Sequence, residues 1–297
     1  MLAIGLSLMA SVGFGSAAIF ARVGMQGIRP LPGTLISVAV SSVPAVILAL
    51  VFTRSDIRAL PPIAFLWLLC LGAMNFLGGR TQNWRAISRV GASRSSAILG
   101  TASVFAAIFA IGITGERPHF LVVLGTAGVV VGLVVTTGES MGRGWSGDRR
   151  ALIGYLLAVV AAASYGGTNV IAKELTEAYG SPLMVSGFSL VFGFLLLLPL
   201  AGRDALVDVR AARSDPGLVF FAGMSGLAAG AAVIFLYYAL QRADVVVVSP
   251  LVATSPLITL LLAHLFLSRL EKITREVAVG TTLTVLGIIV VVLGSTM

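Results

Sequence analysis

Gly13-Phe14-Gly15-Ser16-Ala17-Ala18-Ile19-Phe20-Ala21-Arg22 and Ser164-Tyr165-Gly166-Gly167-Thr168-Asn169-Val170-Ile171-Ala172-Lys173 are two versions of one segment, separated by a constant offset of 151. Ala86-Ile87-Ser88-Arg89 matches Ala239-Leu240-Gln241-Arg242 at an offset of 153, and Gly125 and Gly132 recur as Gly280 and Gly287 at 155. Three matches in one order, with offsets that drift by only a few residues, describe a duplicated unit. Composition places that unit in a bilayer. The chain is 58% hydrophobic with a mean hydropathy of +1.03, and its 11% of charged residues falls far below the roughly 25% of soluble domains.

A hydrocarbon core of about 30 Å needs about 20 apolar residues per helix. Ten stretches meet that length: 2–22, 33–53, 62–84, 91–112, 119–138, 151–172, 181–201, 217–240, 244–267 and 275–296. Pro30, Pro32, Pro61, Pro62, Gly91, Pro118, Pro182 and Asp215-Pro216 punctuate them. The expected fold is therefore an all-α polytopic membrane protein of ten transmembrane helices. The longest polar connection, 139–150, separates a first five-helix repeat (1–138) from a second (151–297). Because five is odd, the second copy enters the membrane upside down, and the two inverted repeats are related by a pseudo-two-fold axis in the membrane plane. Secondary transporters recurrently use this plan, with the substrate site near the midplane between the repeats.

Of the twenty Lys and Arg residues, fifteen fall in or beside the loops after the odd-numbered spans. Only Arg54, Arg58, Arg117, Lys173 and Arg242 fall on the other side. Loops rich in Lys and Arg stay cytoplasmic, so both termini are predicted extracytoplasmic, in a bacterial inner membrane. The net charge of +8 is scattered through short loops, as topology requires, and excludes a nucleic-acid partner. Met1 onward is read as the first span, since no basic n-region or small-residue cleavage site marks a signal peptide. The single cysteine, Cys70, lies in an apolar run and is expected to serve packing; no metal or cofactor is expected.

The stretches Trp84-Arg85-Ala86-Ile87, Gly91-Ala92-Ser93-Arg94-Ser95-Ser96-Ala97-Ile98, Gly115-Glu116-Arg117 and Gly125 to Gly132 form one set of motifs. Tyr238-Ala239-Leu240, Ser249-Pro250-Leu251, Ser255-Pro256, Leu270-Glu271 and Gly280 to Gly287 form the second. Together they resemble the EamA repeat of the drug/metabolite transporter superfamily across the whole chain. The resemblance implies a ten-helix secondary transporter, commonly an exporter of amino acids or other small metabolites. Bacterial amino-acid exporters of the YddG kind are the nearest likeness. Multidrug, nucleoside and sugar-phosphate transport are the alternatives. Ser103 stands where the second copy has Pro256, so the kink of the fourth helix is expected in span nine and is less secure in span four.

Intramembrane polar residues face a partner helix or a cavity. In span three, Asn75, Gln82 and Asn83 share a face, and amides can both donate to a carboxylate and accept from an ammonium. Interhelical bonding serves them equally well. Arg80 either holds a substrate carboxylate or snorkels to the surface, the latter being favoured. Trp84, Tyr237 and Tyr238 are candidate aromatic walls or interfacial anchors. Span six offers Ser164, Tyr165, Thr168 and Asn169, and span nine offers Ser255. Gly15, Gly166, Pro250 and Pro256 are candidate hinges, with helix packing as the plainer use. Glu116 and Glu271 are assigned to helix ends, as are Arg22 and Lys173. Span one carries no central Asp or Glu, so the proton-exchanging carboxylate of small multidrug members has no counterpart. An intramembrane hydrolase would need His264 with Ser249, Ser255 or Ser268, and no nucleophile motif surrounds these serines, so no enzyme is expected. Ten helices can enclose a cavity within one monomer.

Overall fold

The structure is a computed structural model and describes residues 1–142, 149–266 and 275–295, which are helical apart from short connections and contain no strand. The first repeat comprises α1 (Leu2–Gly24), α2 (Pro30–Phe52), the short α3 (Arg54–Ala59) and a third span built from α4 (Pro62–Gly72), a π-helical segment (Ala73–Arg80) and α5 (Thr81–Val90). It continues through α6 (Ala92–Leu99), α7 (Ala102–Phe109) and α8 (Phe120–Gly142). The second repeat comprises α9 (Arg149–Tyr179), α10 (Pro182–Ala211), α11 (Pro216–Leu240), α12 (Val245–Val252), α13 (Ser255–Phe266) and α14 (Arg275–Gly294). Among the described residues, seven spans are long and apolar enough to cross a bilayer: Leu2–Gly24, Pro30–Phe52, Pro62–Val90, Arg149–Tyr179, Pro182–Ser214, Pro216–Leu240 and Val245–Leu265. The shorter apolar helices Ala102–Thr114, Phe120–Val135 and Thr282–Gly294 supply the rest of the ten-helix plan.

The same contacts occur twice with the partners exchanged. A β-carbon on Gly125 would meet Val291 N at 2.6 Å and Gly287 O at 2.7 Å, while one on Gly132 would meet Gly280 O at 2.7 Å. Gly125 and Gly132 are the equivalents of Gly280 and Gly287, so the α8–α14 crossing is self-complementary. A β-carbon on Gly15 in α1 would meet Ile258 Cβ at 2.6 Å, and one on Gly166 in α9 would meet Phe105 Cβ at 2.7 Å. Phe105 and Ile258 are again equivalents at offset 153. Each repeat thus lays its first helix on the fourth span of the other. Helices in lipid associate by close packing, because tails are as apolar as side chains, and small residues permit the approach. Large apolar side chains such as Val43, Ile47, Leu66 and Trp67 face outward.

Four features depart from the sequence expectations. Span six continues to Tyr179 rather than residue 172, since no Gly or Pro interrupts Lys173 to Tyr179, and Lys173 is buried within the helix rather than standing at its end. Span seven runs on past residue 201 as α10, whose far end is pinned by Arg29: its Nε donates to Asp208 Oδ1 at 3.0 Å and its Nη2 to the same oxygen at 2.8 Å. Cys70 is exposed, not packed, because an all-apolar segment gives no pattern by which to tell lipid from core. Span four breaks at Gly100–Thr101 as span nine breaks at Ala253–Thr254, without a proline. Thr101 and Thr254 are equivalents, and each hydroxyl donates to the carbonyl three residues earlier, Ile98 at 2.6 Å and Leu251 at 2.7 Å. Such back-bonding competes with the helical ladder and is a feature the two breaks share.

The π-helical segment leaves its own trace in the repeat. Pro62 and Pro216, each the first residue of its helix, are 154 apart, whereas Ala86 and Ala239 are 153 apart. One residue inserted in span three between these points absorbs the difference, and a π turn is the geometry by which a helix accommodates it.

Candidate functional site: the central cavity

A cavity lies between the repeats, lined by α1, the π segment, α5, α6, α7, α9, α11, α12 and the α12–α13 break. It offers water centres about 120 Å³. A water's share of liquid volume is about 30 Å³, so this is room for several waters or a small metabolite.

The inserted turn in span three delivers two of its polar groups. Asn75 Nδ2 donates to Tyr237 OH at 3.4 Å. Arg80 is 5% exposed, with its guanidinium carbon 5.0 Å from the centre of the Phe76 ring and its Nη1 donating to Ser37 Oγ at 3.3 Å. It does not snorkel; the cavity offers its guanidinium a polar alternative to the surface. One turn on, Asn83 Oδ1 accepts from Ser95 Oγ at 2.9 Å, and Trp84 packs its ring over Gly33, where any β-carbon would collide with it.

From the second repeat, Tyr165 lies over Gly79, which has no side chain to obstruct it. Thr168 donates to the Ser164 carbonyl, and Asn169 Nδ2 donates to Ser249 Oγ at 3.0 Å. Asn75, Arg80, Asn83, Trp84, Tyr165, Thr168, Asn169, Tyr237 and Ser255 all line the cavity. Gln82, Ser164 and Tyr238 do not. Gln82 donates to the Leu77 carbonyl at 3.3 Å, Ser164 sits against Gly78, and the Tyr238 ring is covered by the Arg242 guanidinium at 5.2 Å. Tyr237 rather than Tyr238 is the equivalent of Trp84 at offset 153. Sequence reasoning missed Ser225, which donates to the Ala17 carbonyl at 2.9 Å, and the apolar lining residues Ile87, Leu99, Ala229 and Val233. Positions equivalent to known polar candidates would have found the last two.

The hinge candidates are all at interfaces. Gly15 and Gly166 are the inter-repeat contacts described above, Pro250 is buried inside α12, and Pro256 is the second residue of α13, just past the break. Ser11 Oγ and Thr254 Oγ1 share a hydrogen bond of 2.8 Å, tying the break to α1.

The cavity is displaced toward one end. All four residues are buried, but Ala21 and Ile87 line it, whereas their equivalents Ala172 and Leu240 pack in the core away from it. At the end where Ala172 and Leu240 lie, Lys173 Nζ meets Glu116 Oε1 at 3.1 Å and Asp244 Oδ1 at 2.8 Å. The same Glu116 accepts from Val245 N at 3.0 Å and Val246 N at 3.1 Å, capping the first turn of α12, where a helix presents unsatisfied amides. Glu116 belongs to the first repeat and α12 to the second, so this cluster closes one end across the repeat boundary. Glu271 lies outside the described residues.

The family described as "EamA-like transporter family" matches residues 1–138 and again residues 152–293. The chain belongs to the EamA-like transporter family. Membership makes it an integral membrane protein whose family carries small molecules, and it accounts for the inverted repeat seen in the contacts. A chain solved by crystallography and described as "Crystal structure of protein" shares the fold, with a TM-score of 0.74 at 18% identity, covering 99% of this chain and 97% of that one. No curated protein matches the sequence. For this EamA-like protein, two of the three pairs that a hydrolase would need fall among the described residues. His264 lies nine residues along α13 from Ser255, about 13 Å at 1.5 Å per residue, and Ser249 Oγ is engaged by Asn169. Ser268 lies outside the described residues.

Proposed function

We propose that this protein is a secondary transporter that exports small metabolites, amino acids first among them, by alternating access around the central cavity. The observation that carries the reading is the cavity itself: it is enclosed by both repeats, lined by polar side chains that lipid would not tolerate, and closed at one end while its lining continues toward the other. Asn75, Asn83, Tyr165, Thr168, Asn169, Tyr237 and Ser255 are the substrate contacts in this reading, Trp84 a wall, and the α6–α7 and α12–α13 breaks with Gly15 and Gly166 the moving joints. One chain encloses the cavity, which supports a monomer. The basic loops support a bacterial inner-membrane location with both termini outside.

Uptake of a labelled amino-acid panel into proteoliposomes tests it. Saturable uptake accelerated by unlabelled substrate trapped inside is expected of a carrier. Reconstituted protein that moves no panel member, nor any nucleoside, sugar phosphate or lipophilic cation, would remove the carrier reading.

A further inference from the structure

The pseudo-two-fold axis relates residues of the cavity that differ sharply in polarity. Tyr165, Thr168 and Asn169 correspond to Phe14, Ala17 and Ala18 at offset 151, Arg80 to Val233 at 153, and Asn75, near the start of the π segment where the offset is still that of Pro62 and Pro216, to Ala229 at 154. Both members of every pair line the cavity. Spans three and six, packed on each other through Gly78 and Gly79, therefore make a polar wall, and spans one and eight, packed through Gly13 and Ala232, make a mainly apolar one in which Ser225 and Tyr237 are the polar lining residues.

The polar wall carries a charge without a counter-charge. Arg80 is a permanent cation, nine-tenths and more buried, and among the described residues its partners are a serine hydroxyl, an aromatic face and the neighbouring tyrosine hydroxyls. Among the described residues no Asp or Glu lines the cavity. A guanidinium held in a low-dielectric interior without an anion is costly, and a planar carboxylate is the group that matches its fork of donors. With no lining carboxylate to receive a cationic ligand, a zwitterion bound at Arg80 would leave the loaded site with an unbalanced positive charge. A monoanion would leave it neutral.

We infer that the cavity takes a small amphipathic monoanion, its carboxylate on Arg80 at the span three and six wall and its apolar body against Phe14, Ala17, Ala18, Ala229 and Val233. The inference rests on the transporter reading's choice of the central cavity as the cargo site, and it moves the cargo class from the zwitterionic amino acids placed first there to monoanionic metabolites.

Three probes share one apolar body and differ in charge at neutral pH: 3-phenylpropionate (−1), phenylalanine (0) and phenethylamine (+1). Acetate supplies the carboxylate without the body. Calorimetric titration of the full chain in detergent is expected to rank phenylpropionate first, phenylalanine next and phenethylamine last, with acetate about tenfold or more weaker than phenylpropionate. Arg80→Gln is expected to weaken phenylpropionate by about tenfold to a hundredfold and to erase the charge order, while Arg80→Lys keeps the order. Phenethylamine or phenylalanine binding as tightly as phenylpropionate to the wild-type protein overturns the inference, as does an unchanged order in a folded Arg80→Gln protein or no binding of any probe. The wild-type ranking decides the matter even where Arg80→Gln fails to fold. Vesicle uptake separates the two readings. A probe bound in this order but never moved, by a protein that moves nothing else, removes the carrier and keeps the site; transport with the order reversed keeps the carrier and removes the monoanion.

Discussion

Lys173 and Arg22 occupy equivalent positions in the two repeats, yet Lys173 is 8% exposed and held between Glu116 and Asp244, whereas Arg22 is exposed at the last turn of α1. Two copies of one unit would place these cations alike in a symmetric molecule. Their difference, with the fact that Ile87 lines the cavity and its equivalent Leu240 does not, marks the Lys173 end as the closed one. A carrier that alternates must exchange the two environments, so the Lys173 cluster is the contact that opening would break.

Glu116→Gln is expected to loosen that end. The substitution removes one of the two close carboxylates on Lys173 and weakens the cap on α12, while Asp244 retains Lys173; the loss is about 1–3 kcal/mol. In a Cys70→Ser background, a cysteine replacing buried Thr176, one turn beyond Lys173, should react with a membrane-impermeant maleimide about tenfold faster when Glu116 is Gln. Equal rates would mean that the cluster holds nothing shut.

Glycine contacts between the repeats should be intolerant in proportion to what a β-carbon meets. At Gly125 it would press on Val291 N at 2.6 Å and at Gly166 on Ala106 N at 2.7 Å, backbone atoms that cannot turn away; at Gly5 it would meet nothing within 4 Å. Gly125→Ala and Gly166→Ala are expected to cost about 1–3 kcal/mol, and Gly5→Ala to stay within about 0.5 kcal/mol. Thermal unfolding in detergent measures all three, and a Gly5→Ala protein as unstable as Gly166→Ala would sink the argument.

The ten-helix plan was legible because hydropathy, repeat offset and helix breakers all report on it. Most of the cavity was legible too, since Asn75, Arg80, Asn83, Tyr165 and Asn169 stand out against apolar surroundings. The misses share a cause. Lys173, Cys70 and Tyr238 are each one position in a helix whose orientation depends on packing, and a segment apolar all round carries no signal of which face is inside. The direction in which Arg80 points was undecidable for the same reason: a long cation can reach either water or a cavity. The slip of the repeat offset from 154 to 153 was present in the sequence, and it marked the π turn that bears Asn75 and Arg80.

Pro256 should prove dispensable for the break in span nine. Span four breaks at the equivalent place with Ser103 where Pro256 would be, and the feature common to both is the threonine back-bond at Thr101 and Thr254. Pro256→Ser is therefore expected to transport within about twofold of wild type, corresponding to less than about 0.5 kcal/mol. Thr254→Val, which also removes the 2.8 Å bond to Ser11, should slow transport by about tenfold or more, as the loss of two buried hydrogen bonds implies. Counterflow rates in proteoliposomes compare the two, and a severe defect in Pro256→Ser alone would return the break to the proline.

Gly33→Ala offers a way to move a cavity wall without deleting it. The new β-carbon would fall 2.1 Å from Trp84 Cζ3 and 2.9 Å from Cε3, so the ring must shift. Trp84 is 3% exposed, clusters with Ala21, Ile28 and Ala222, and lines the cavity, which is the open space its ring can enter. Overpacking of this kind costs about 1–3 kcal/mol, less than the roughly 3–5 kcal/mol expected for the void left by Trp84→Ala. A ring pushed into the cavity shortens the space for cargo, so KM should rise severalfold for the larger substrates and change little for the smallest. In a protein with Trp67 and Trp145 replaced by Phe, the remaining Trp84 emission should become more sensitive to acrylamide on the same substitution. A Gly33→Ala protein with unaltered emission and an unaltered KM for every substrate would place Trp84 in the core alone.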